Sequence, residues 1–178
     1  MIVVFVHTAG VFAYVAGSSF AFITHEGLSP DAFGLVFAVG SIAIMATNMV
    51  NARLVGRVRS DSLLVFGLIV TLLSAAGFIL TVAFDGPTWL LITLVVIWVG
   101  CNGFVTANAV SGGLNSVTQN VGRASALLGF GQYGGGMVGS LILGLLSNST
   151  LWPLAGLLIT ASFGALIVAL MTHRIADS

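Results

Sequence analysis

Residues 63–84 read LLVFGLIVTLLSAAGFILTVAF, with Asp61 and Asp85 near the two ends and no charged group between them. A helix of that length, rising about 1.5 Å per residue, covers roughly 30 Å, the thickness of a bilayer's hydrocarbon core. Working outward, the run itself extends over about 62–84, and five more of the same kind lie at about 2–24, 32–53, 89–111, 123–147 and 151–173. Polar punctuation separates them: His25-Glu26-Gly27-Leu28-Ser29-Pro30-Asp31, Arg57-Val58-Arg59-Ser60-Asp61, Asp85-Gly86-Pro87, a longer stretch from Gly112 to Gly122, and Ser147-Asn148-Ser149. Ser29 ahead of Pro30 and Asp31 is a helix-start pattern, a hydroxyl cap followed by a proline that fits the first turn. The expectation is an all-α polytopic membrane protein, one six-helix bundle over residues 1–178.

Composition agrees with that reading and removes others. Asp, Glu, Lys and Arg make up 6% of the chain and apolar residues 58%, where a soluble surface needs about a quarter charged. Net charge is zero and the five basic residues, all Arg, are scattered, so nothing resembles a footprint for nucleic acid. Cys101 is the single cysteine and lies in an apolar run, which suits packing and not a disulfide or a cysteine-pair zinc site. No nucleophile elbow, paired-histidine zinc motif or carboxylate dyad is present; no catalytic residue, metal or cofactor is expected. Met1-Ile2-Val3-Val4-Phe5 shows neither a basic leader nor a cleavage site, so the first helix is expected to be retained.

Each ionised side chain at the bilayer centre costs on the order of 3 kcal/mol, so charges belong in the loops, and their signs set orientation. Arg53, Arg57 and Arg59 follow the second run, Arg123 precedes the fifth and Arg174 follows the sixth. Alternating crossings put all five on one side, which the positive-inside rule makes cytoplasmic, with both termini. Glu26, Asp31 and Asp85 fall on the opposite side, as do Trp89 and Trp152, whose indoles suit an interface.

Polar side chains inside the runs are unevenly spread. The first carries His7, Tyr14 and Ser18; the second Ser41, Thr47 and Asn48; the fourth Asn102, Thr106 and Asn108; the fifth Gln132 and Tyr133. The third and sixth have only Ser and Thr, whose hydroxyls can bond their own backbone. The first, second, fourth and fifth helices are thus expected to line a cavity, and the third and sixth to face lipid. Counting residues from the cytoplasmic edge puts Tyr14, Asn102 and Gln132 roughly 10–18 Å deep, in one layer near the midplane. Each could instead simply join helix to helix. Gly131, Gly135 and Gly139 form a small-xxx-small row that permits close backbone contact or bending. His7 is the one intramembrane group that titrates near neutrality, a candidate for proton coupling beside an ordinary interhelical hydrogen bond.

Specific stretches carry a family resemblance. They are Phe12-Ala13-Tyr14-Val15-Ala16-Gly17-Ser18-Ser19-Phe20, Gly27-Leu28-Ser29-Pro30, Phe33-Gly34-Leu35-Val36-Phe37-Ala38, Asn51-Ala52-Arg53-Leu54-Val55 and Asn108-Ala109. Gly122-Arg123-Ala124-Ser125-Ala126-Leu127-Leu128-Gly129 with Gln132 completes the set. In order along almost the whole chain, these resemble the C-terminal six-helix half of a Bcr/CflA-type drug-efflux transporter of the major facilitator superfamily. The resemblance implies a half fold of 3+3 inverted repeats, alternating access, and proton-coupled export of small amphipathic molecules across a bacterial inner membrane. It implies a partner too, the N-terminal half or a second copy, since that group keeps its intramembrane acid in its first half. Tyr14, Ser18, Ser41, Asn102, Thr106, Gln132 and Tyr133 become the expected cavity wall. The loop from Asn51 through Arg53 and Arg57 to Arg59 resembles a degenerate gating motif, with Asp61 the nearest acidic partner. A different class of reading is a non-transporting membrane protein that assembles with partners through its glycine-rich helix. Relocating all five Arg to the opposite loops is expected to invert or scramble the topology, scored by reporter fusions at each loop; an unchanged topology would contradict the orientation.

Overall fold

A computed structural model describes residues 1–115, 121–146 and 150–176. Helix α1 spans Ile2–Ser19 and continues as a π-helical turn over Phe20–His25. Then come α2 (Pro30–Leu54), α3 (Ser60–Ala83), α4 (Thr88–Gly100), α5 (Asn102–Asn115), α6 (Val121–Leu146) and α7 (Trp152–Ala176). The helices α4 and α5 meet at Cys101, whose carbonyl accepts from both Phe104 and Val105 amides, and together make one crossing from Thr88 to Leu114. Among the described residues, six helices are therefore long and apolar enough to cross a membrane. The Ser147-Asn148-Ser149 break, part of the Gly112 to Gly122 stretch and the Arg174 side chain lie outside the described residues.

Local chemistry explains most ends. Ser29 caps α2, its hydroxyl accepting from the Ala32 amide at 3.2 Å, with Pro30 in the first turn. The turn from α2 to α3 passes through Gly56 at φ +90°, a left-handed backbone that a side chain would strain. The fourth crossing runs three residues beyond the expected 111. Ser111, Gly112 and Gly113 stay helical, with the Ser111 hydroxyl bonded back to the Asn108 carbonyl at 3.2 Å. In a span, leaving the helix would strand backbone groups without water, which outweighs glycine's weak propensity.

The packing has an internal symmetry. The first crossing lies against α6 and α7, the fourth against α2 and α3, and α3 lies against α7. Exchanging crossings one with four, two with five and three with six maps the contacts of the first crossing onto those of the fourth and the α3–α7 contact onto itself, as two inverted three-helix repeats require. Burial follows the same exchange: half of the apolar stretch is buried in crossings one and four and 39% in three and six. Crossings two and five are the barest, at 11% and 33%. Near the Arg-free end the core is Ala13, Tyr14, Phe22, Phe78, Trp98 and Leu158; near the other it is Val4, Leu68, Val105 and Leu128. Outward, α3 exposes Phe66, Leu73 and Leu80, and α7 exposes Phe163, Leu170 and Met171, all apolar.

The α1–α6 contact is the closest in the bundle. A Cβ on Gly139 would overlap the Ala9 carbonyl, one on Gly135 the Phe5 carbonyl, and one on Gly136 would lie 2.7 Å from the Phe12 ring. A Cβ on Gly131, at the end of the row, would meet Met1 at Cγ (3.4 Å) and at its carbonyl oxygen (3.9 Å). Gly139→Val is expected to lower stability by about 1–3 kcal/mol or more, because a side chain there must push two backbones apart. The thermal unfolding midpoint in detergent measures this. Gly129→Ala, with nothing within 4 Å of a new Cβ, is expected to leave the midpoint unchanged, and equal midpoints for both variants would contradict the seam.

Candidate functional site

The crossing formed by α4 and α5 places Asn102 first in α5, mid-span, with Thr106 one turn later on the same face. The Thr106 hydroxyl donates to Asn102 Oδ1 at 2.6 Å, and that oxygen also lies 3.1 Å from His7 Nε2 on α1. His7 is 1% exposed. Its ring stacks on Trp98 of α4, centroids 5.8 Å apart and planes 28° from parallel. Trp98 Nε1–H donates to Ser162 Oγ on α7 at 2.8 Å, and Ser162 donates to the Leu158 carbonyl at 2.8 Å. One residue along α1, the Thr8 hydroxyl reaches the Val4 carbonyl at 2.7 Å and the Gln132 carbonyl on α6 at 3.0 Å. A continuous polar layer thus crosses α5, α1 and α6, with Trp98 tying it to α7.

The expected cavity residues divide over this layer and two other places. Asn102, Thr106 and the Gln132 backbone belong to the layer, and the Gln132 side chain is half-buried. Tyr14 does not belong to it, contrary to the depth count. Lying seven residues from His7, it sits about 10 Å further along α1, buried and stacked parallel to Phe37 of α2 at 6.3 Å. Ser18 is buried and turned to its own helix, at the Val15 carbonyl. Ser41 and Tyr133 are exposed on α2 and α6; Ser41 bonds back to the Phe37 carbonyl and Tyr133 meets Phe12 edge-on at 6.4 Å. Neither Thr8 nor Trp98 nor Ser162 stood out in the sequence: Thr and Ser read as self-bonded, and Trp98 reads as part of an apolar run.

The presumed gating loop also needs correction. Asn51 and Arg53 lie within α2, which runs to Leu54, and Asn51 is buried. Its Oδ1 accepts from Asn108 Nδ2 at 2.6 Å, joining α2 to α5, while Asn108 also donates to the Phe104 carbonyl. The helix continues because breaking this bond would strand two buried amides. Only Arg57 and Arg59 occupy the turn, exposed, with Arg59 3.5 Å from Asp61. An open pair like that contributes under about 1 kcal/mol.

A sequence model of the Major Facilitator Superfamily matches residues 1–177. The chain belongs to this superfamily. The Bicyclomycin resistance protein homolog of Haemophilus influenzae is 30% identical to it over 134 residues, which is 75% of this chain and 34% of that protein. The uncharacterized MFS-type transporter YdgK of Bacillus subtilis is 28% identical over 163 residues, 91% of this chain and 40% of the relative. The chain thus spans between a third and two-fifths of these relatives' lengths.

Six crossings with 3+3 symmetry are one half of a major facilitator fold. His7 and Asn102 lie on crossings one and four, which the inverted repeat makes equivalent and which are the most buried of the six. The described residues also enclose two small spaces near the Arg-free end. One, of about 120 Å³, lies between α1, α6 and α7 beside Gly17, Ser140 and Leu143. The other, of about 200 Å³, is lined by His25, Glu26, Thr81, Asp85 and Trp152. Glu26 is held there, accepting from the Thr88 hydroxyl at 2.5 Å and lying 3.1 Å from His25 Nδ1. None of the expected cavity residues lines either space. Asn108→Ala is expected to leave Asn51 buried without its donor and to lower stability by about 1–3 kcal/mol. Thermal unfolding measures it, and an unchanged midpoint would contradict the clasp.

Proposed function

We propose that this chain is the C-terminal half of a proton-coupled antiporter that exports small amphipathic molecules from the bacterial cytoplasm by alternating access. It sits in the inner membrane with both termini cytoplasmic, and a second half completes it. The observation that carries this reading is the bare face of α2 and α6. These are the least buried crossings, and they expose Ser41 and Tyr133 among Met45, Met49, Phe130 and Met137. Aromatic rings, flexible thioethers and a few hydroxyls suit varied, largely apolar ligands. The Arg placement supports the orientation, and the resistance named in the Haemophilus influenzae relative supports a toxic solute.

The alternative, assembly with partners through the glycine-rich helix, loses its main support. Gly135 and Gly139 are already covered by α1. That row closes the bundle on itself and is not free to receive another protein.

In the complete transporter, Asn102→Ala and Gln132→Ala are each expected to cut uptake of a fluorescent amphipathic cation into inverted vesicles roughly tenfold, the scale of one lost polar contact. Membrane insertion stays at wild-type level. Normal uptake in both variants would remove these residues from the transport path.

A further inference from the structure

Polar atoms inside this bundle almost always have partners. Among the described residues, the buried side-chain atom without one is His7 Nδ1. An amide oxygen cannot donate a proton, and Asn102 Oδ1 already accepts from Thr106. His7 Nε2 therefore carries the hydrogen in its 3.1 Å contact, and Nδ1 is left as a bare lone pair. With less than 1 Å² exposed, that lone pair admits no solute; the ligand it can take is a proton.

Two neighbouring groups would favour the cation this creates. The Trp98 face lies 5.8 Å away, within cation–π range, and Ser162 locks the indole in place. Asn102 Oδ1 turns the negative end of its dipole toward the ring. No Asp, Glu, Lys or Arg occurs on α1, α4 or α5, nor in α7 before residue 173, and α6 has only Arg123 near its start. The remaining titratable groups on these elements are Cys101 at the α4–α5 joint, Tyr14, which stacks on Phe37, Tyr133, which turns to Phe12, and His173 in the last turn of α7.

We infer that His7 Nδ1 is the proton-binding atom of this half, an inference that rests on the proton-coupled reading above. When α1 and α5 part enough to admit water, hydronium delivers a proton to the lone pair and the imidazolium rests on Trp98. Before they close, water takes the proton back from Nδ1, and closure restores the neutral Nε2–H bond to Asn102. On uptake an O–H bond of hydronium breaks as Nδ1–H forms, and on release the exchange reverses. Proton occupancy thereby biases the α1–α5 contact, the joint between equivalent crossings of the two repeats.

The test uses the complete transporter in liposomes, with ring-¹⁵N-labelled histidine followed by solid-state NMR and ethidium as the transported probe. His7 is expected to show the Nε2–H tautomer at high pH and to convert to imidazolium on acidification, with its midpoint moved by ethidium. His7→Gln preserves a donor toward Asn102 but cannot titrate. It is expected to retain downhill ethidium exchange within about twofold while losing at least tenfold of accumulation driven by a pH gradient. Wild-type accumulation in His7→Gln, or a His7 ring that stays neutral from pH 5 to 9, would overturn the inference. If His7→Gln fails to fold, the wild-type titration decides alone. A His7 that titrates in a protein unable to move ethidium supports the proton site and counts against the export reading only.

Discussion

The contact on which the rest of the bundle depends is the backbone approach between α1 and α6, where Gly135 and Gly139 meet the Phe5 and Ala9 carbonyls with no room for a methyl group. In lipid no hydrophobic force draws helices together, so close packing and polar contacts must do it. That approach brings the Thr8 hydroxyl within reach of the Gln132 carbonyl and Ser140 within reach of the Phe12 carbonyl. It also sets the rotation of α1. With Gly135 facing Phe5, His7 is turned away toward Asn102 and Trp98.

The second repeat repeats the device in weaker form. Gly100 and Gly103 face α2, where a Cβ on Gly103 would overlap Thr47 and one on Gly100 would lie 3.0 Å from Ala43. The Thr47 hydroxyl donates to the Gly100 carbonyl at 2.5 Å. The two seams hold crossings one and four at the centre, each with an outer helix clasped to it, α6 and α2. Those outer helices are the least buried of the six crossings.

The crossings were legible because hydrocarbon thickness imposes length and composition directly, and Ser29-Pro30 marked a true cap. Depth and rotation were not. Counting from span edges puts Tyr14 beside Asn102, but an error of three residues there is about 5 Å. Asn51 opens the stretch that resembles a gating loop, yet it falls inside the expected 32–53 run, and its buried partner Asn108 holds it within the helix. Trp98 and Thr8 gave no signal, since an indole in an apolar run and a threonine beside a histidine gain meaning only from the helices they face. Most hydroxyls in the spans, including those of Ser41, Thr71, Thr81 and Thr160, bond their own helix. Only the few that cross reveal architecture.

The bare α2–α6 face is proposed as a solute-facing wall, whereas the exposed apolar residues of α3 are proposed to meet lipid. Tyr133 and Leu73 are each 66% exposed in this half, so exposure alone cannot distinguish them. In the complete transporter with Cys101 replaced by Ala, cysteines at Ser41, Tyr133 and Leu73 can be tested singly with a hydrophilic maleimide, with and without ethidium. The account predicts labelling at Ser41→Cys and Tyr133→Cys that ethidium slows several-fold, and no labelling at Leu73→Cys. Unreactive cysteines at both α2–α6 positions, or reactivity there that ethidium leaves unchanged, would contradict it.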